Sequence, residues 1–267
     1  MKHALLILAL TMFASGCAEA SRGGPASGGA PGAGGAGGDG ASAGAAAQPN
    51  VLVFSRTLGF RHDSIATGIG ALHALGNEHG FRVTDTEEPT RFNDAELSAV
   101  DVVVFLCTTG DVLSEPQQLA LEAFIHQGGG FVGVHSASDT EYDWPWYGEL
   151  VGAYFQAHPA IQSASLVVED ANHPATRGLP SPWIRTDEWY AFRANPRGTV
   201  NVLMRLDEAS YVPGAAAMGE DHPIAWSHDF EGGRAFYTAL GHTDASYAEP
   251  EFRAHLAGAI EWAARTR

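Results

Sequence analysis

The chain contains a single lysine, Lys2, so 14 of its 15 basic residues are arginines. The rest of the sequence therefore cannot supply a Schiff-base lysine, a lysine general base or the lysine of a nucleotide-binding P-loop. Basic residues are also few in total, since 15 of them stand against 31 acidic residues for a formal net charge of −16. Binding to DNA or RNA requires a cationic surface that replaces phosphate counterions, so we expect no nucleic-acid partner.

Cysteine is equally scarce, with Cys17 and Cys107 as the two occurrences. Cys17 follows a short basic start, the apolar run 4–13 and then small residues, which is the pattern of a secretory signal peptide. The run is too short for a spanning helix, which needs roughly 20 apolar residues. Small residues directly before a cysteine resemble a bacterial lipobox, in which that cysteine is lipidated. We expect residues 1–17 to be a lipoprotein signal peptide; ordinary secretion is the alternative.

Large side chains are rare in residues 18–49, which consist mainly of glycine, alanine, serine and proline. This composition predicts a flexible tether between a lipid anchor and a folded body. We therefore expect the protein in the cell envelope, on the periplasmic or surface face of a bacterial membrane. The remaining residues, 50–267, show no internal repeat and no second linker, and are predicted to form one domain.

Short apolar runs alternate with helical patterns over residues 51–135, in the order βαβαβαβ. Fully apolar runs such as 102–106 are typical of strands buried on both faces. The predicted fold class is therefore α/β, with three layers and a mostly parallel, flavodoxin-like central sheet. Further strands, a hairpin at Gly232-Gly233 and a closing helix over 250–264 complete the domain. Cys107 ends one of the apolar runs and is expected to be a buried thiol without a disulfide partner.

Histidines follow three of the predicted strands, and these are His62, His135 and His242. Ligands of open parallel sheets bind at the carboxyl ends of the strands, which all lie at one edge. We therefore expect the three imidazoles to meet in one cleft, with Asp139, Glu188 and Asp244 as the carboxylates that orient them. Four other histidines lie on predicted helices and are expected to face solvent: His73, His79, His126 and His255.

The segment Gly133-Val134-His135-Ser136-Ala137 has the pattern of a sharp strand-to-helix elbow. Amidotransferase-type α/β folds carry a cysteine at the centre of this elbow, whereas this chain carries His135. Histidine can be a general base or a metal ligand but is a poor nucleophile for amide hydrolysis. Glutamine amidotransferase and cysteine-hydrolase activities are therefore not expected. Ser136 should point away from the elbow apex, and the alternative role of His135 is a core residue bonded to a backbone carbonyl.

Five motifs, in order along the chain, resemble the ThuA-like (trehalose utilisation) family: Gly59–His62, Gly130–Ala137, Trp144–Tyr147, Asp187–Tyr190 and Gly241–Thr243. With the segment 234–262 they span nearly all of residues 51–264. The resemblance implies a fold similar to that of class I glutamine amidotransferases. It also implies a function in processing sugars, particularly keto-sugars derived from disaccharides, rather than in hydrolysing glutamine.

A 3-keto-glycoside offers chemistry that these residues could perform. Its ketone acidifies the proton on C2, and loss of that proton allows the C1 substituent to leave. Such a site needs a base, an electrophile over the carbonyl oxygen and an acid for the leaving group. The catalytic candidates are His62, His135, His242, Asp139 and Glu188. The electrophile could be an arginine, or a divalent metal held by the three histidines with carboxylates, although no H-x-x-x-H or C-x-x-C spacing supports a metal.

Substrate binding is assigned to side chains near the same motifs, namely Arg56, Arg61, Trp144, Trp146, Trp189, Tyr190 and Asp244. Sugar rings stack on aromatic faces, and ordinary packing is the alternative for each aromatic residue. Neighbouring side chains in a strand point to opposite faces, so only one of Asp187 and Glu188 can face the cavity. The competing functional hypothesis is a sugar-binding lipoprotein on this fold without catalytic activity.

The lipid anchor is tested by Cys17→Ser, which should move the protein from the membrane fraction to the soluble fraction. Each CH₂ of an acyl chain buried in the bilayer contributes about 0.8 kcal/mol to anchoring, and the serine variant has no acyl chain. Membrane sedimentation followed by immunoblotting measures the change. A serine variant that still sediments with membranes contradicts the anchor.

Overall fold

The computed structural model describes residues 48–264. The predicted signal peptide, Cys17 and residues 18–47 of the predicted tether lie outside the described residues. Residues 48–264 all belong to one compact unit. Within residues 48–264, none of the helices has the length and apolar character needed to cross a bilayer.

The regular elements of residues 48–264 are strands, α-helices and short 3₁₀ turns. The strands are β1 (Asn50–Phe54), β2 (Arg82–Thr86), β3 (Val102–Leu106), β4 (Gly130–Val134), β5 (Phe155–Ala157), β6 (Gln162–Val168), β7 (Trp183–Asp187), β8 (Ala191–Phe192), β9 (Asn201–Asp207), β10 (His222–Phe230) and β11 (Gly233–Thr238). The helices are α1 (Ile65–His79), α2 (Asp94–Leu97), α3 (Glu115–His126), α4 (Pro145–Val151) and α5 (Pro250–Ala263).

The central sheet has the strand order β2-β1-β3-β4-β11-β10-β9-β6-β7, while β5 and β8 pair separately. The half from β2 to β11 is parallel throughout. The half from β11 to β7 pairs antiparallel, beginning with the hairpin that Gly232-Gly233 predicts. Helices α1 and α5 contact each other and pack against β2 and β4, while α3 contacts β11 and α2, so helices lie against the sheet. The predicted α/β class, with its large sheet in a single domain, is confirmed.

Burial explains why the central strands form where the apolar runs lie. Strand β3 is inaccessible to solvent along its whole length, and β4 is buried at every position. Strands covered on both faces have no solvent-facing position, and hence no alternating pattern. Helix α1 ends as expected, because Gly80 adopts the left-handed conformation with a φ of 78°. Cys107 is fully buried without a disulfide, as predicted.

The elements that sequence patterns miss are short or lie in the antiparallel half. Strands β5 and β8 contain three and two residues, too few for a period to be visible. Strand β7 does alternate between buried and exposed positions, and its last residue, Asp187, lies next to Glu188. The position of β7 at the sheet edge matters for the site described below.

His255 departs from its prediction, since it lies fully buried on α5 rather than facing solvent. The buried face of α5 extends over this position, and the His255 ring packs against Phe236 and Phe252. Its Nδ1 donates a hydrogen bond to the Ala175 carbonyl oxygen at 2.7 Å. Burial lowers the pKa of His255 from its usual value near 6.5 to about 3.

This buried histidine predicts a specific acid sensitivity. Between pH 6.5 and about 3 the unfolded chain binds a proton at position 255 that the folded chain does not. Stability from this residue is therefore fully present above pH 6.5 and falls as the pH drops, with a limiting slope of about 1.4 kcal/mol per pH unit. In His255→Gln the free energy of unfolding should fall less steeply across this window.

Denaturant unfolding at a series of pH values measures these slopes. The matched control is His79→Gln, which replaces an exposed histidine on another helix. Identical slopes in the wild type and His255→Gln would show that His255 does not carry the effect.

Candidate functional site

His135 stands where β4 turns sharply into a 3₁₀ segment, with a left-handed φ of 52°. Gly133 allows Tyr237 to pack closely against β4, because a Cβ at this position would approach the Tyr237 ring to 3.0 Å. The His135 side chain is fully buried, and its Nδ1 lies 2.8 Å from the carbonyl oxygen of Ala239. A carbonyl can only accept, so Nδ1 carries the proton and Nε2 presents its lone pair. The predicted elbow is confirmed, and His135 is bonded to a backbone carbonyl, as the alternative interpretation expected, while its Nε2 faces His62.

His62 lies in the loop after β1. Thr109, in the loop after β3, holds this loop in place. The Leu58 amide donates to the Thr109 carbonyl at 2.8 Å, and the Thr109 hydroxyl donates to the Phe60 carbonyl at 2.8 Å. His62 is buried, with its Nδ1 3.3 Å from the hydroxyl of Ser136. Ser136 therefore supports His62 from the elbow, instead of pointing away from the site.

Asp187 fixes His242 and Glu188 together, although it does not face the cavity. Its Oδ2 accepts from the Gly241 amide at 2.9 Å, and its Oδ1 accepts from the amides of His242 at 3.1 Å and Glu188 at 3.0 Å. Gly241 has a φ of 110°, a backbone conformation that residues other than glycine rarely adopt. Asp187 thus points away from the cavity and Glu188 towards it, as the strand geometry predicts.

A buried arginine supports Asp187 in turn. The Arg185 guanidinium lies 3.1 Å from the Asp187 carboxylate and donates to the Ser246 hydroxyl at 2.7 Å. It also lies 4.9 Å from the centres of the Trp183 and Phe252 rings. The Arg185–Asp187 pair therefore anchors the loop that carries His242 to the end of β7.

The three histidines meet Glu188 in one cluster at the carboxyl edge of the sheet. The Nε2 atoms of His62 and His135 are 3.1 Å apart, and His242 Nδ1 lies 3.2 Å from His135 Nε2. Glu188 Oε2 lies 3.1 Å from His242 Nδ1 and 3.5 Å from His135 Nε2. One nitrogen from each histidine and one carboxylate oxygen of Glu188 all lie within 4.8 Å of one another. The three histidines thus meet at the strand ends, where the sequence predicts them, while the catalytic role of the cluster stays a prediction.

The protonation states of the cluster diverge because its members differ in burial and partners. Burial, helped by the nearby His135 and His242, lowers the pKa of His62 to about 3. Burial opposes ionisation of Glu188, but the neighbouring imidazoles of His135 and His242 outweigh it and hold its pKa well below the usual value. The hydrogen bond to Glu188 raises the pKa of His242. Glu188 is thus held ionised beside a neutral His62 imidazole, while His242 has a raised affinity for a proton.

This donor set could hold a metal ion. Four atoms placed tetrahedrally 2.0–2.1 Å from a common centre would be about 3.3–3.4 Å apart. Four of the six pairwise separations in the cluster are 3.1–3.5 Å, and all lie within 4.8 Å. Each nitrogen is presented by a buried or half-buried ring, and His135 is fixed in the tautomer that ligation requires. Three imidazoles with one carboxylate favour zinc or another first-row transition metal over magnesium or calcium.

The cluster opens onto a cavity of about 330 Å³. Its lining residues are Phe60, His62, Asp139, Phe155, His158, Glu188, Tyr190 and His242. Tyr190 packs between His135 and Phe155, with ring centres 4.2 Å from each. His158 Nδ1 lies 3.0 Å from Glu188 Oε1 at a half-exposed position. The volume lies within the range of small-molecule sites, roughly 300–1,000 Å³.

Several predicted substrate-binding residues lie elsewhere. Arg61 pairs with Glu87 at 2.6 Å, and Arg56 is not among the cavity-lining residues. Asp244 accepts a hydrogen bond from the Thr67 hydroxyl at 2.7 Å instead of orienting an imidazole.

The predicted aromatic wall is also placed differently, because most of these rings pack into the core. Trp189 is fully buried, and its indole donates to the Gln162 carbonyl. Trp144 stacks on Trp146 with ring centres 5.0 Å apart, outside the cavity lining. Tyr190 is the member of the predicted aromatic set that lines the cavity.

Three residues of the cavity lining and two residues that support the cluster are not predicted from the sequence. Phe60 lies within the motif Gly59–His62, and His158 precedes a proline, a common turn feature that hides its role. Phe155 belongs to the very short β5, which carries no readable period. Ser136 and Asp187 act through contacts between distant segments, and no local pattern announces them.

The role of Asp187 is tested by Asp187→Asn. The matched control is Asp244→Asn, an exposed aspartate that follows β11. Asparagine presents N–H groups to donors and leaves Arg185 without its closest carboxylate. Removing one partner of a buried ion pair costs about 3–5 kcal/mol, whereas an exposed substitution stays within about 0.5 kcal/mol. Denaturant unfolding measures both, and equal stabilities of the two variants would contradict the role of Asp187.

Comparison with known proteins supports one family. The family model ThuA, described as trehalose utilisation, matches residues 50–263. No protein with curated annotation matches the chain. Among solved structures, a ThuA-like protein from Bacteroides uniformis ATCC 8492 is similar with a TM-score of 0.68 and 22% identity, over 83% of this chain and 94% of that one.

Two further structures have the same fold. A ThuA-like protein from Parabacteroides merdae ATCC 43184 has a TM-score of 0.66 and 19% identity, over 82% of this chain and 90% of that one. A cytoplasmic protein from Salmonella typhimurium has a TM-score of 0.55 and 10% identity, over 80% and 98%. Identities of this size show similarity of fold alone. The family match over residues 50–263 shows that this chain belongs to the ThuA (trehalose utilisation) family.

Proposed function

We propose that this protein is a carbohydrate-processing enzyme that acts on a keto-sugar derived from a disaccharide, as a lyase or hydrolase. Membership of the ThuA family supports a carbohydrate-related role. The observation that carries the proposal is the convergence of His62, His135, His242 and Glu188 at the floor of a cavity of about 330 Å³. A protein that only binds sugar has no need to bury three imidazoles around one carboxylate.

The cluster supports a role as the electrophilic centre of the reaction. Arg61 is paired with Glu87, and neither Arg56 nor Arg61 lines the cavity, so the guanidinium groups are poorly placed for this role. The imidazole nitrogens of His62, His135 and His242 face one another, which favours ligation over proton abstraction. A divalent metal held by these groups would supply the positive charge that a developing enolate oxygen requires.

The cavity walls support a sugar as the bound molecule. Phe60, Phe155 and Tyr190 provide apolar ring surface for the C–H faces of a sugar, while Asp139 and His158 provide polar contacts for its hydroxyl groups. Buried rings next to a few convergent polar groups are typical of small-molecule sites. The ketone oxygen would face the cluster, and proton transfer would fall to side chains of the cavity wall.

We also propose that the enzyme works at the cell envelope. The lipobox-like sequence before Cys17 and the spacer 18–49 support a lipid-anchored protein whose domain stands away from the membrane. The acidic net charge supports a small-molecule sugar, rather than a nucleic acid, as the partner.

Metal binding provides the first test. The purified wild type, loaded with Zn²⁺ or Mn²⁺ and freed of excess ion, should retain about one equivalent by elemental analysis. His242→Ala and Glu188→Gln should each lower the affinity by more than the roughly 10- to 100-fold that loss of a residue supporting a ligand costs. The matched control is His73→Ala, which removes an exposed histidine paired with a carboxylate outside the cavity.

Turnover provides the second test. Trehalose, other disaccharides and their 3-keto forms are incubated with the metal-loaded protein, and products are separated by chromatography. Only the 3-keto forms should react, and His242→Ala and Glu188→Gln should lose the activity together with the metal. Sugar binding without turnover would instead support a non-catalytic sugar-binding lipoprotein. Equal metal binding by the wild type and both variants would contradict the assigned cluster.

A further inference from the structure

A second carboxylate lines the cavity without belonging to the histidine cluster. Asp139 is half-buried in the 3₁₀ segment after β4, four residues beyond His135. The group of potential metal ligands consists of His62, His135, His242 and Glu188, so it does not include Asp139. Asp139 instead accepts a hydrogen bond at Oδ1 from the Tyr142 hydroxyl at 2.5 Å.

Tyr142 has a second acceptor within reach, since its hydroxyl lies 3.2 Å from the Phe155 carbonyl oxygen. A phenol carries one proton and donates to one acceptor at a time. When Asp139 is ionised, the hydroxyl donates to the carboxylate. When Asp139 is protonated, its O–H can donate to the phenol oxygen while the phenol donates to Phe155. Both protonation states of Asp139 are therefore hydrogen-bonded without movement of the ring.

The Tyr142 ring is held in place from two sides. The guanidinium of Arg193 lies 3.9 Å from the centre of the Tyr142 ring, which is a cation–π contact. Tyr154 packs against the same ring, with centres 5.1 Å apart. The hydroxyl is thus fixed next to Asp139, as a side chain that positions a proton-transfer group must be.

The two cavity carboxylates differ in their affinity for protons. Burial raises the pKa of Asp139, against the hydrogen bond from Tyr142 and the charges of Arg193 and His135. The pKa of Glu188 is shifted the opposite way by its imidazole partners. The titratable or charged groups that face Asp139 are Tyr142, Arg193, His135 and, across the cavity, His62, His158, Glu188 and His242. Two carboxylates whose pKa values are shifted in opposite directions are typical of sites in which one has an electrostatic role and the other transfers a proton.

We propose that Asp139 is the proton-transfer residue of this site and that Tyr142 is its positioning residue, acting on a 3-keto-glycoside whose C2–H bond faces Asp139. The assignment rests on the proposed function. The Asp139 carboxylate takes the C2 proton, and the electron pair of the broken C–H bond forms the enolate of the neighbouring ketone. The C3 carbonyl then re-forms, a C1=C2 double bond forms, and the C1–O bond breaks with its electron pair on oxygen.

The leaving oxygen takes the proton back from Asp139, which returns to its ionised form. The products are a free alcohol and an unsaturated 3-keto-sugar, and the step consumes neither an oxidant nor water. Because one carboxyl both takes and returns the proton, the C2–H and C1–O bonds must lie on the same face of the sugar. This geometry limits the substrates to 3-keto-glycosides with that relative configuration.

The test follows the metal-loaded protein with 3-keto-cellobiose as the probe, in D₂O and across a range of pH. In this β-glucoside the C2–H and C1–O bonds lie on the same face of the keto-sugar ring, whereas in the α-linked 3-keto-trehalose they lie on opposite faces. Asp139→Asn should lower both C2 deuterium exchange and elimination about 100-fold or more, within the usual contribution of a general base. Its bound metal should match that of the wild type. Asp143→Asn replaces an exposed aspartate in the turn before α4; it is the matched control and should retain wild-type rates.

Tyr142→Phe tests the positioning role through the pH profile. The Tyr142 hydrogen bond lowers the pKa of Asp139, so its removal should raise that pKa and shift the acid limb of the rate profile to higher pH. A purely structural role would lower the rate without moving this limb, and such a result would overturn the assignment of Tyr142.

The remaining outcomes separate this inference from the proposed function. If the wild type is inactive on every 3-keto-sugar, the result contradicts the proposed function and the role of Asp139 with it. An active wild type together with a nearly active Asp139→Asn overturns the role of Asp139 alone. Loss of metal in Asp139→Asn would show that Asp139 acts through the cluster, which also overturns its role. If Asp139→Asn does not fold, the Tyr142→Phe profile decides.

Discussion

Four ionisable side chains lie within hydrogen-bond reach of one another at the end of a buried sheet, and this proximity constrains the surrounding structure. Charges that leave water lose solvation, and neutral nitrogen atoms that face each other repel unless a proton or a cation lies between them. The negative charge of Glu188 reduces this repulsion in part, because it lies close to His62, His135 and His242 and favours a proton on an imidazole. The four side chains could hold a metal ion, whose positive charge would remove this repulsion.

The backbone that carries these side chains is held by contacts between segments distant in sequence. Asp187 accepts from the amides of Gly241 and His242, and Arg185 stabilises Asp187 from the buried side. Thr109 holds the loop of His62. Directed hydrogen bonds to the main chain fix the positions of the rings more strictly than apolar packing, because they limit both distance and angle. The cluster is thus preorganised by residues that do not face the cavity.

Much of this architecture could be predicted because its signals are local or topological. Apolar runs such as 102–106 predict buried strands, and Gly133 to Ala137 predicts the elbow at His135. The parallel order of strands brings their carboxyl ends to one edge, which is sufficient to gather three histidines from distant positions. Local and topological signals could not predict where the side chains of Trp189, Arg61 and Asp244 lie. An aromatic ring or a charged side chain has the same sequence signal whether it packs in the core, pairs on the surface or lines a cavity.

The sequence by itself therefore determined the α/β class, the sheet edge that holds the site and the three histidines that meet there, because periodicity and strand direction are written in residue order. Tertiary structure decided which of Asp187 and Glu188 joins the cluster, that Ser136 supports His62, and that Asp139 pairs with Tyr142 instead of an imidazole. These outcomes depend on distances of about 3 Å between segments separated by up to 74 residues. Such distances are set by packing of the whole domain, which no local pattern of residues encodes.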